Sequence, residues 1–259
     1  MLADIGACLR FYTRLPVPVL SSRTDAHAVP DFRRLAPVVP VAGLVIGLVP
    51  AATLIVARYV GLPATLAATL AVASVLLSTG AFHEDGLADT ADSFGASTPA
   101  RRLEIMRDSR IGTFGAAALV LVLVLRVESI ARLVEVHGRW ETAAVLVGLA
   151  AATRAAALPM MAFLPSARTE GLAYAVGLPS KRGVVLAGVL GTGFAVVLLA
   201  VASFPLAAVL AAPVSCLCAG VAAIRFARRH VGGHSGDIAG AAQQVAEVAA
   251  LAVLVAVGQ

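Results

Sequence analysis

Charged residues are scarce in this chain of 259 residues: 14% are Asp, Glu, Lys or Arg, and 59% are hydrophobic. Soluble domains carry about 25% charged and about 45–50% apolar residues. The composition therefore excludes an ordinary soluble domain and is typical of an integral membrane protein. Because a helical span needs about 20 residues, the length allows about seven spans, and we expect one membrane domain over residues 1–259.

Lysine and cysteine are also rare. Lys181 is the one lysine among 20 basic residues, and the three cysteines are Cys8, Cys216 and Cys218. None of them has a metal-ligand spacing with histidine, so a Cys–His metal site is not expected. The net charge of +5 could suggest nucleic acid in a soluble protein, but in a membrane protein the cations are first topology signals. We therefore expect no nucleic-acid partner.

Long apolar runs are what the sequence has in abundance. A short amphipathic helix over Leu2–Tyr12 is predicted to lie at the membrane surface. Seven membrane spans are predicted over residues 36–57, 62–82, 111–125, 142–163, 183–202, 206–224 and 238–257. The third is short unless it extends into the amphipathic stretch VESIARLVEV. The expected fold is an all-α polytopic membrane bundle of about seven transmembrane helices plus this N-terminal interfacial helix.

Basic residues are distributed unevenly between the two sides of such a bundle. With a cytoplasmic N-terminus, 15 of them fall in inside segments and four in outside segments. The four outside residues are Arg58, Arg126, Arg132 and Arg139. Since cytoplasmic segments are enriched in Arg and Lys, we expect the N-terminus and residues 83–110 and 225–237 inside, and the C-terminus outside.

Acidic residues collect in the stretch HEDGLADTADSFGA, residues 83–96, at the end of an apolar run. Asp85, Asp89 and Asp92 are spaced i, i+4 and i+7, which places them on one helix face. Like charges on one stripe repel, and Mg²⁺ prefers carboxylate oxygens together with substrate phosphates. We predict a Mg²⁺ site here; the alternative is a solvated helix whose acids favour the helix dipole. Further candidate ligands are Glu84 and Asp108.

Two other cytoplasmic segments suggest phosphate binding. In RRLEIMRDSRIGTFGA, Arg107 and Arg110 flank Ser109, and arginine clamps phosphate well. In GGHSGD, glycines precede the last span, whose first N–H groups can hold an anion. The candidate substrate-binding residues are Arg107, Ser109, Gly232, Gly233, Ser235, Gln244 and Glu247.

Polar residues inside the spans suggest a site in the bundle interior. Asp237, Gln244 and Glu247 fall close to one face of the last span; the alternative for them is helix-to-helix hydrogen bonding. Arg154 either pairs with Glu247 or contacts a substrate phosphate. Together, acids, arginines and glycine turns on one membrane face favour metal-assisted chemistry on a phosphorylated, partly membrane-associated substrate.

Five segments, in this order from about residue 9 to residue 250, carry a resemblance to a known family. They are FYTRLPVP, HEDGLADTADSFGA, EIMRDSRIGTFGAAAL, ATRAAALPMMAFLPSARTEGLA and GGHSGDIAGAAQQVAE. The chain resembles the adenosylcobinamide-GDP ribazoletransferase, or cobalamin-5′-phosphate synthase, family. It departs from the family pattern at Ser235, where Thr is usual, and at Glu84, where the residue is often apolar.

The resemblance implies a Mg²⁺-dependent phosphotransferase of vitamin B12 (cobalamin) biosynthesis in the bacterial inner membrane. The implied reaction joins adenosylcobinamide-GDP to α-ribazole or α-ribazole 5′-phosphate and releases GMP. Implied metal ligands are Asp85, Asp89, Asp92 and Asp108, and implied catalytic residues are Arg110, Arg154 and, as the proton acceptor, Asp237 or His83. Membrane lipid is a further expected partner, and a homo-oligomer is left open.

Two other functions fit parts of the sequence. A CDP-alcohol phosphotransferase also uses an acidic DG motif on membrane helices, but there the Ala of DGxxA is followed by Arg, whereas here Asp89 follows Ala88. A transporter would line an ion path with Asp237, Glu247 and Arg154. Against transport, the densest acids lie in a cytoplasmic segment, and no inverted repeat is visible.

Overall fold

The computed structural model describes residues 1–19 and 29–258, and within these ranges the regular structure is helical. The first helices, at the amino end, are α1 (Leu2–Tyr12), α2 (Phe32–Leu35), α3 (Val39–Tyr59), α4 (Ala64–Thr79), α5 (Phe82–Asp92) and α6 (Pro99–Ile105). They are followed by α7 (Thr113–His137), α8 (Arg139–Phe163), α9 (Leu172–Ala175), α10 (Lys181–Val201), α11 (Leu206–His230) and α12 (Gly236–Val257).

Six helical segments of the described chain are long and apolar enough to cross a membrane. They are Phe32–Tyr59, Thr113–His137, Arg139–Phe163, Lys181–Val201, Leu206–His230 and Gly236–Val257. A seventh is reached if α4 and α5 count as one broken span. The all-α polytopic bundle is therefore confirmed, and the interfacial helix has the predicted bounds.

The second predicted span is the one that the structure breaks. α4 has 16 residues, about 24 Å of helix, and α5 follows it at an angle of 90°. Gly80 ends α4 in the left-handed region (φ +67°), where glycine is favoured, and Ala81 also has positive φ (+56°). The Ala81 N–H donates to the Leu76 carbonyl at 2.9 Å, which satisfies one terminal acceptor of α4. The bend turns the acidic stretch away from the apolar run before it.

The third predicted span is longer than its apolar run. The apolar run 111–125 was expected to cross either alone or with an extension into VESIARLVEV, and α7 takes the extended form and continues to His137. Arg126 therefore lies inside α7, only 3% exposed, and does not belong to an outside loop. This corrects the count of outside basic residues from four to three.

Small residues allow the central helix α8 to lie close to its neighbours. A Cβ added at Gly43 of α3 would lie 2.6 Å from the Ala150 carbonyl oxygen, and one added at Gly220 of α11 would lie 2.7 Å from that of Ala156. Such approaches exclude any side chain at these two positions. α8 is thus held in the middle of the bundle, with Arg154 enclosed at 4% exposure.

Candidate active site

Three carboxylates, those of Asp85, Asp89 and Asp237, lie on the two helices α5 and α12 where α5 crosses the start of α12. A Cβ added at Gly86 would lie 2.7 Å from the Asp237 carbonyl oxygen and 3.0 Å from its Cα, so only glycine fits at this crossing. Asp85 is exposed and Asp89 is partly buried on the same helix as Gly86. The predicted proximity of Asp237 to the acidic stretch is confirmed, although the two lie far apart in the sequence.

The electrostatics of this group are unfavourable without a cation. Asp85, Asp92 and Asp237 all repel negative charge on Asp89, while Arg168 attracts it. A divalent cation would relieve this repulsion, and carboxylate oxygens are the ligands that Mg²⁺ prefers. Among the described residues, no three His, Cys, Asp or Glu side chains converge closely enough to hold a metal alone. The donors therefore fit an ion held by one or two carboxylates and completed by substrate phosphates and water.

Asp92 has a structural task that its spacing did not reveal. Its Oδ2 accepts the Gly112 N–H and its Oδ1 accepts the Gly115 N–H, each at 2.7 Å. These are free donors at the amino end of α7, where a carboxylate is also favoured by the helix dipole. A side chain at Gly112 or Gly115 would collide with Asp92. The RIGTFGA segment thus fastens α7 to the end of α5.

The loop before α7 contains an ion pair of its own. Arg110 Nε donates to Asp108 Oδ1 at 3.0 Å and its Nη2 to Oδ2 at 2.6 Å. These hydrogen bonds lower the pKa of Asp108 to about 2. Arg107 pairs with Glu170 at 2.9 Å, and Ser109 is exposed. The loop is strongly charged and accessible, but both Asp108 oxygens are engaged locally and not with the acids of α5.

Asp237 is held from the other side by Arg168. The backbone of residues 165–167 pairs with His234: the His234 N–H donates to the Pro165 carbonyl at 2.8 Å, and the Ala167 N–H donates to the His234 carbonyl at 2.9 Å. This brings Arg168 Nη1 to 3.1 Å from Asp237 Oδ2. The contact is an ion pair without hydrogen-bond alignment, so within the described chain Asp237 Oδ2 keeps its hydrogen-bonding capacity.

The glycine turn before α12 has a structural role, because it positions the start of the helix that carries Asp237. Ser235 accepts the Ile238 N–H at 3.2 Å and is the N-cap of α12, which places Asp237 in the first turn. A Cβ added at Gly233 would lie 2.8 Å from the Ala167 nitrogen, and Gly232 has positive φ (+75°). Gly232, Gly233 and Ser235 were predicted to bind substrate; the structure accounts for them through the turn and the cap.

His83 and Arg154 line a cavity whose walls do not include the three carboxylates. His83 is 5% exposed and stacks on Tyr12 with ring centroids 5.7 Å apart. Arg154 Nη1 donates to the Ala150 carbonyl at 2.9 Å, and its buried Nε has no hydrogen-bond partner among the described residues. Gly236 and Gly240 of α12 also line this cavity.

Comparison with known proteins identifies the family to which this site belongs. A family model described as cobalamin-5-phosphate synthase matches residues 4–255. The chain belongs to the cobalamin-5-phosphate synthase family. A relative named adenosylcobinamide-GDP ribazoletransferase from Azorhizobium caulinodans is 46% identical over 252 residues, 97% of this chain and 94% of the relative. A protein of the same name from Xanthobacter autotrophicus is 46% identical over 246 residues, 95% of this chain and 92% of that protein.

A third relative with that name, from Brucella ovis, is 39% identical over 259 residues, with 98% of this chain and 97% of the relative covered. No solved structure matches the chain. The family assignment supports the resemblance seen in the five sequence segments, and it gives no support to a CDP-alcohol phosphotransferase or a transporter.

A buried ionic network lies below the carboxylates of this synthase-family protein. Arg126 Nη1 contacts Glu84 Oε1 at 2.8 Å, and its Nη2 contacts Glu247 Oε1 at 3.0 Å. Gln244 Nε2 donates to the same Glu84 oxygen at 3.0 Å, and Gln243 Nε2 donates to Glu247 Oε2 at 3.0 Å. The network joins α5, α7 and α12, and Arg126 is the shared cation between two carboxylates in the enclosed interior of the bundle.

This network changes the interpretation of three predicted site residues. Glu84 points into the bundle and pairs with Arg126, so it is not brought to the acidic face with Asp85 and Asp89. Gln244 and Glu247 make contacts between helices, which was the alternative considered for them. Glu247 pairs with Arg126, so the structure does not show the ion pair considered between Glu247 and Arg154.

Sequence reasoning missed two residues of this synthase-family site, Arg126 and Arg168. Arg126 stands in the apolar run LVLVLRVES, and an arginine inside a span marks the bundle interior by default. That signal was available, but the early end assigned to the third span concealed it. Arg168 was counted only as a cytoplasmic topology residue, and its pairing with Asp237 depends on two distant loops. No local pattern reveals such a contact.

Proposed function

We propose that the chain is an adenosylcobinamide-GDP ribazoletransferase acting in the last steps of cobalamin biosynthesis. Its family supports this activity, and so do the names of relatives that are up to 46% identical along nearly the whole chain. The substrates are adenosylcobinamide-GDP and α-ribazole or its 5′-phosphate. The products are adenosylcobalamin, or its 5′-phosphate, and GMP.

The observation that carries the site is the meeting of Asp85, Asp89 and Asp237 at the α5–α12 crossing. In the proposed reaction, a ribose hydroxyl oxygen of the acceptor forms a bond to the phosphorus attached to cobinamide. The bond from that phosphorus to the oxygen bridging to GMP breaks, and GMP leaves with the bridging oxygen. Asp237 accepts the hydroxyl proton, and Arg168 holds the carboxylate in place for it.

Asp85 and Asp89 are the residues that would hold Mg²⁺. The ion supplies charge neutralisation on the pyrophosphate when it is bound. Asp92 supports this pair indirectly, because it fixes the end of α5 to α7. Arg110 and Arg107 lie on exposed loop positions, from which they can exchange their carboxylate partners for substrate phosphates.

Replacing Asp237 by asparagine tests its role as proton acceptor. The side chain keeps its shape and its place in the first turn of α12, so we expect the protein to fold normally. Turnover should fall about 100-fold or more, because an amide cannot accept the proton. The measurement is GMP release by the purified protein with both substrates saturating. Turnover within threefold of wild type would contradict this role.

The site is proposed to face the cytoplasm of a bacterium, within the inner membrane. With Arg126 assigned to the bundle interior, the inside segments hold 15 basic residues and the outside segments three. We therefore expect reporter fusions after Ser97 and Pro179 to report the cytoplasm and a C-terminal fusion to report the opposite side. A cytoplasmic C-terminus would mean that the α4–α5 pair enters and leaves on one side.

The activity itself is tested with purified protein in detergent. Adenosylcobinamide-GDP, α-ribazole and Mg²⁺ should give cobalamin and GMP in equal amounts, without a sealed vesicle. Because no compartment is present, turnover in this assay cannot arise from transport. Absence of both products with folded protein would overturn the proposed function.

A further inference from the structure

An aromatic cavity lies beside the first turn of α12, the turn that carries Asp237. Four of the 13 Phe, Tyr and Trp residues in the chain line it, although they come from three separate segments. Its principal side chains are Phe11, Tyr12, Phe32, Phe82, His83 and Arg154. The enclosed space of the cavity is about 60 Å³, and with its open mouth the empty space is about 530 Å³.

The rings form a continuous aromatic surface. Phe11 lies 5.4 Å from both Phe32 and Phe82, measured between ring centroids, and meets each of them edge to face. Tyr12 and His83 are stacked, with an angle of 15° between their planes. Flat bicyclic bases bind to such surfaces by stacking and by apolar contact.

The polar side chains of the cavity are few: Tyr12, His83 and Arg154. Arg154 is 4% exposed, and its Nε–H has no acceptor among the described residues. A buried donor of this kind is costly unless a ligand or water supplies the acceptor. No carboxylate or amide side chain lines the cavity in the described chain. The cavity therefore suits a flat base that presents an acceptor atom to Arg154.

We propose that this cavity binds the base of the ribazole acceptor, with Arg154 donating to the free ring nitrogen. The benzimidazole base of α-ribazole is flat and bicyclic, and its one polar atom is that nitrogen, a hydrogen-bond acceptor. Gly236 and Gly240 of α12 also line the cavity, and Gly236 directly precedes Asp237. A base bound here places its ribose toward Asp237, where the attacking hydroxyl is required. This inference rests on the proposed function and identifies the acceptor subsite.

Base discrimination is the direct test. The purified full-length protein is given adenosylcobinamide-GDP with either α-ribazole or its analogue in which a C–H replaces the free ring nitrogen. The wild type should prefer α-ribazole in kcat/KM by about tenfold or more, as expected for a lost hydrogen bond to a charged donor. Arg154→Met should reduce this preference to about one, whereas the exposed control Arg225→Met should keep it. A preference that survives in Arg154→Met, or is absent in the wild type, overturns the proposal.

Aromatic variants keep the proposal testable if Arg154→Met does not fold. Phe11→Leu and Phe82→Leu should raise KM for α-ribazole about fivefold to tenfold and leave KM for adenosylcobinamide-GDP unchanged. Phe226→Leu is the matched control, since Phe226 belongs to a separate aromatic cluster with Phe94 and His230. Equal changes in both KM values, or none, would overturn the subsite.

Binding without turnover separates this proposal from the proposed function. Equilibrium dialysis with free dimethylbenzimidazole should show saturable binding to the wild type and to Phe226→Leu, and at least fivefold weaker binding to Phe11→Leu. If the wild type binds the base but releases no GMP, the proposed function fails and the cavity assignment stands. If the wild type turns over but binding and KM do not respond to Phe11→Leu, the cavity assignment fails alone.

Discussion

Replacing Asp89 by asparagine should lower turnover by two orders of magnitude or more, a loss of about 3 kcal/mol of transition-state stabilisation. Asp89 is partly buried and repelled by the carboxylates of Asp85, Asp92 and Asp237. Asparagine keeps the shape of the side chain but removes its charge. It therefore relieves this repulsion and weakens the binding of a cation. We therefore expect thermal stability in detergent to be unchanged or higher. Loss of activity with no loss of stability is the pattern of a functional carboxylate.

Two controls complete the Asp89 experiment. Asp31→Asn is the matched replacement, because Asp31 is an exposed N-cap of α2 and asparagine caps a helix equally well. It should retain both activity and stability. Chelation by EDTA should abolish wild-type turnover, and added Mg²⁺ should restore it. Near-normal turnover of Asp89→Asn at saturating Mg²⁺ would remove Asp89 from the site.

Replacing Arg126 by methionine should have the largest effect on stability. The guanidinium pairs with Glu84 at 2.8 Å and Glu247 at 3.0 Å, and all three side chains are enclosed by the bundle. Removing one partner leaves the opposite charges buried and unpaired, which costs about 3–5 kcal/mol in comparable cases. We expect a much lower unfolding temperature in detergent, or no folded protein. Because the network joins α5 to α12, turnover of any folded fraction should fall as well.

The matched control for Arg126 lies on the same helix. Arg132 is half exposed, and its contact with Glu135 is long, at 3.9 Å. Arg132→Met should therefore be nearly neutral for stability. Restoring charge balance by combining Arg126→Met with Glu84→Gln and Glu247→Gln should recover much of the lost stability. If Arg126→Met unfolds at the same temperature as Arg132→Met, the network does not stabilise the bundle.

The membrane fold could be predicted well because its constraints are local. A span needs about 20 apolar residues wherever it lies, and the interfacial helix Leu2–Tyr12 shows its amphipathic pattern within three turns. The failures also have local causes. The continuous hydropathy of residues 62–82 gave no sign of the bend at Gly80, and the end of the apolar run at residue 125 left open whether the third span extends as far as α7 does.

The site could be predicted only in part, because the spacing of residues along a helix does not show which residues of other helices they contact. Asp85, Asp89 and Asp92 share a face as the i, i+4, i+7 pattern indicates, yet Asp92 is engaged by the N–H groups of α7. Neighbouring residues also point in different directions: Asp85 is exposed, whereas Glu84 points into the bundle. These outcomes depend on which helix lies opposite each residue, and that is set by packing across the whole chain.

The position of the cation is the central claim, and metal-directed cleavage of the chain measures it. Fe²⁺ can occupy a site built of hard oxygen ligands, and with ascorbate and peroxide it cuts the backbone beside the place where it is bound. Mass spectrometry of the wild type with adenosylcobinamide-GDP should find cuts near Asp85–Asp89 and near Asp237, and excess Mg²⁺ should suppress both. Cuts confined to the loop that carries Asp108 and Arg110, or cuts that Mg²⁺ does not suppress, would contradict a site at the α5–α12 crossing.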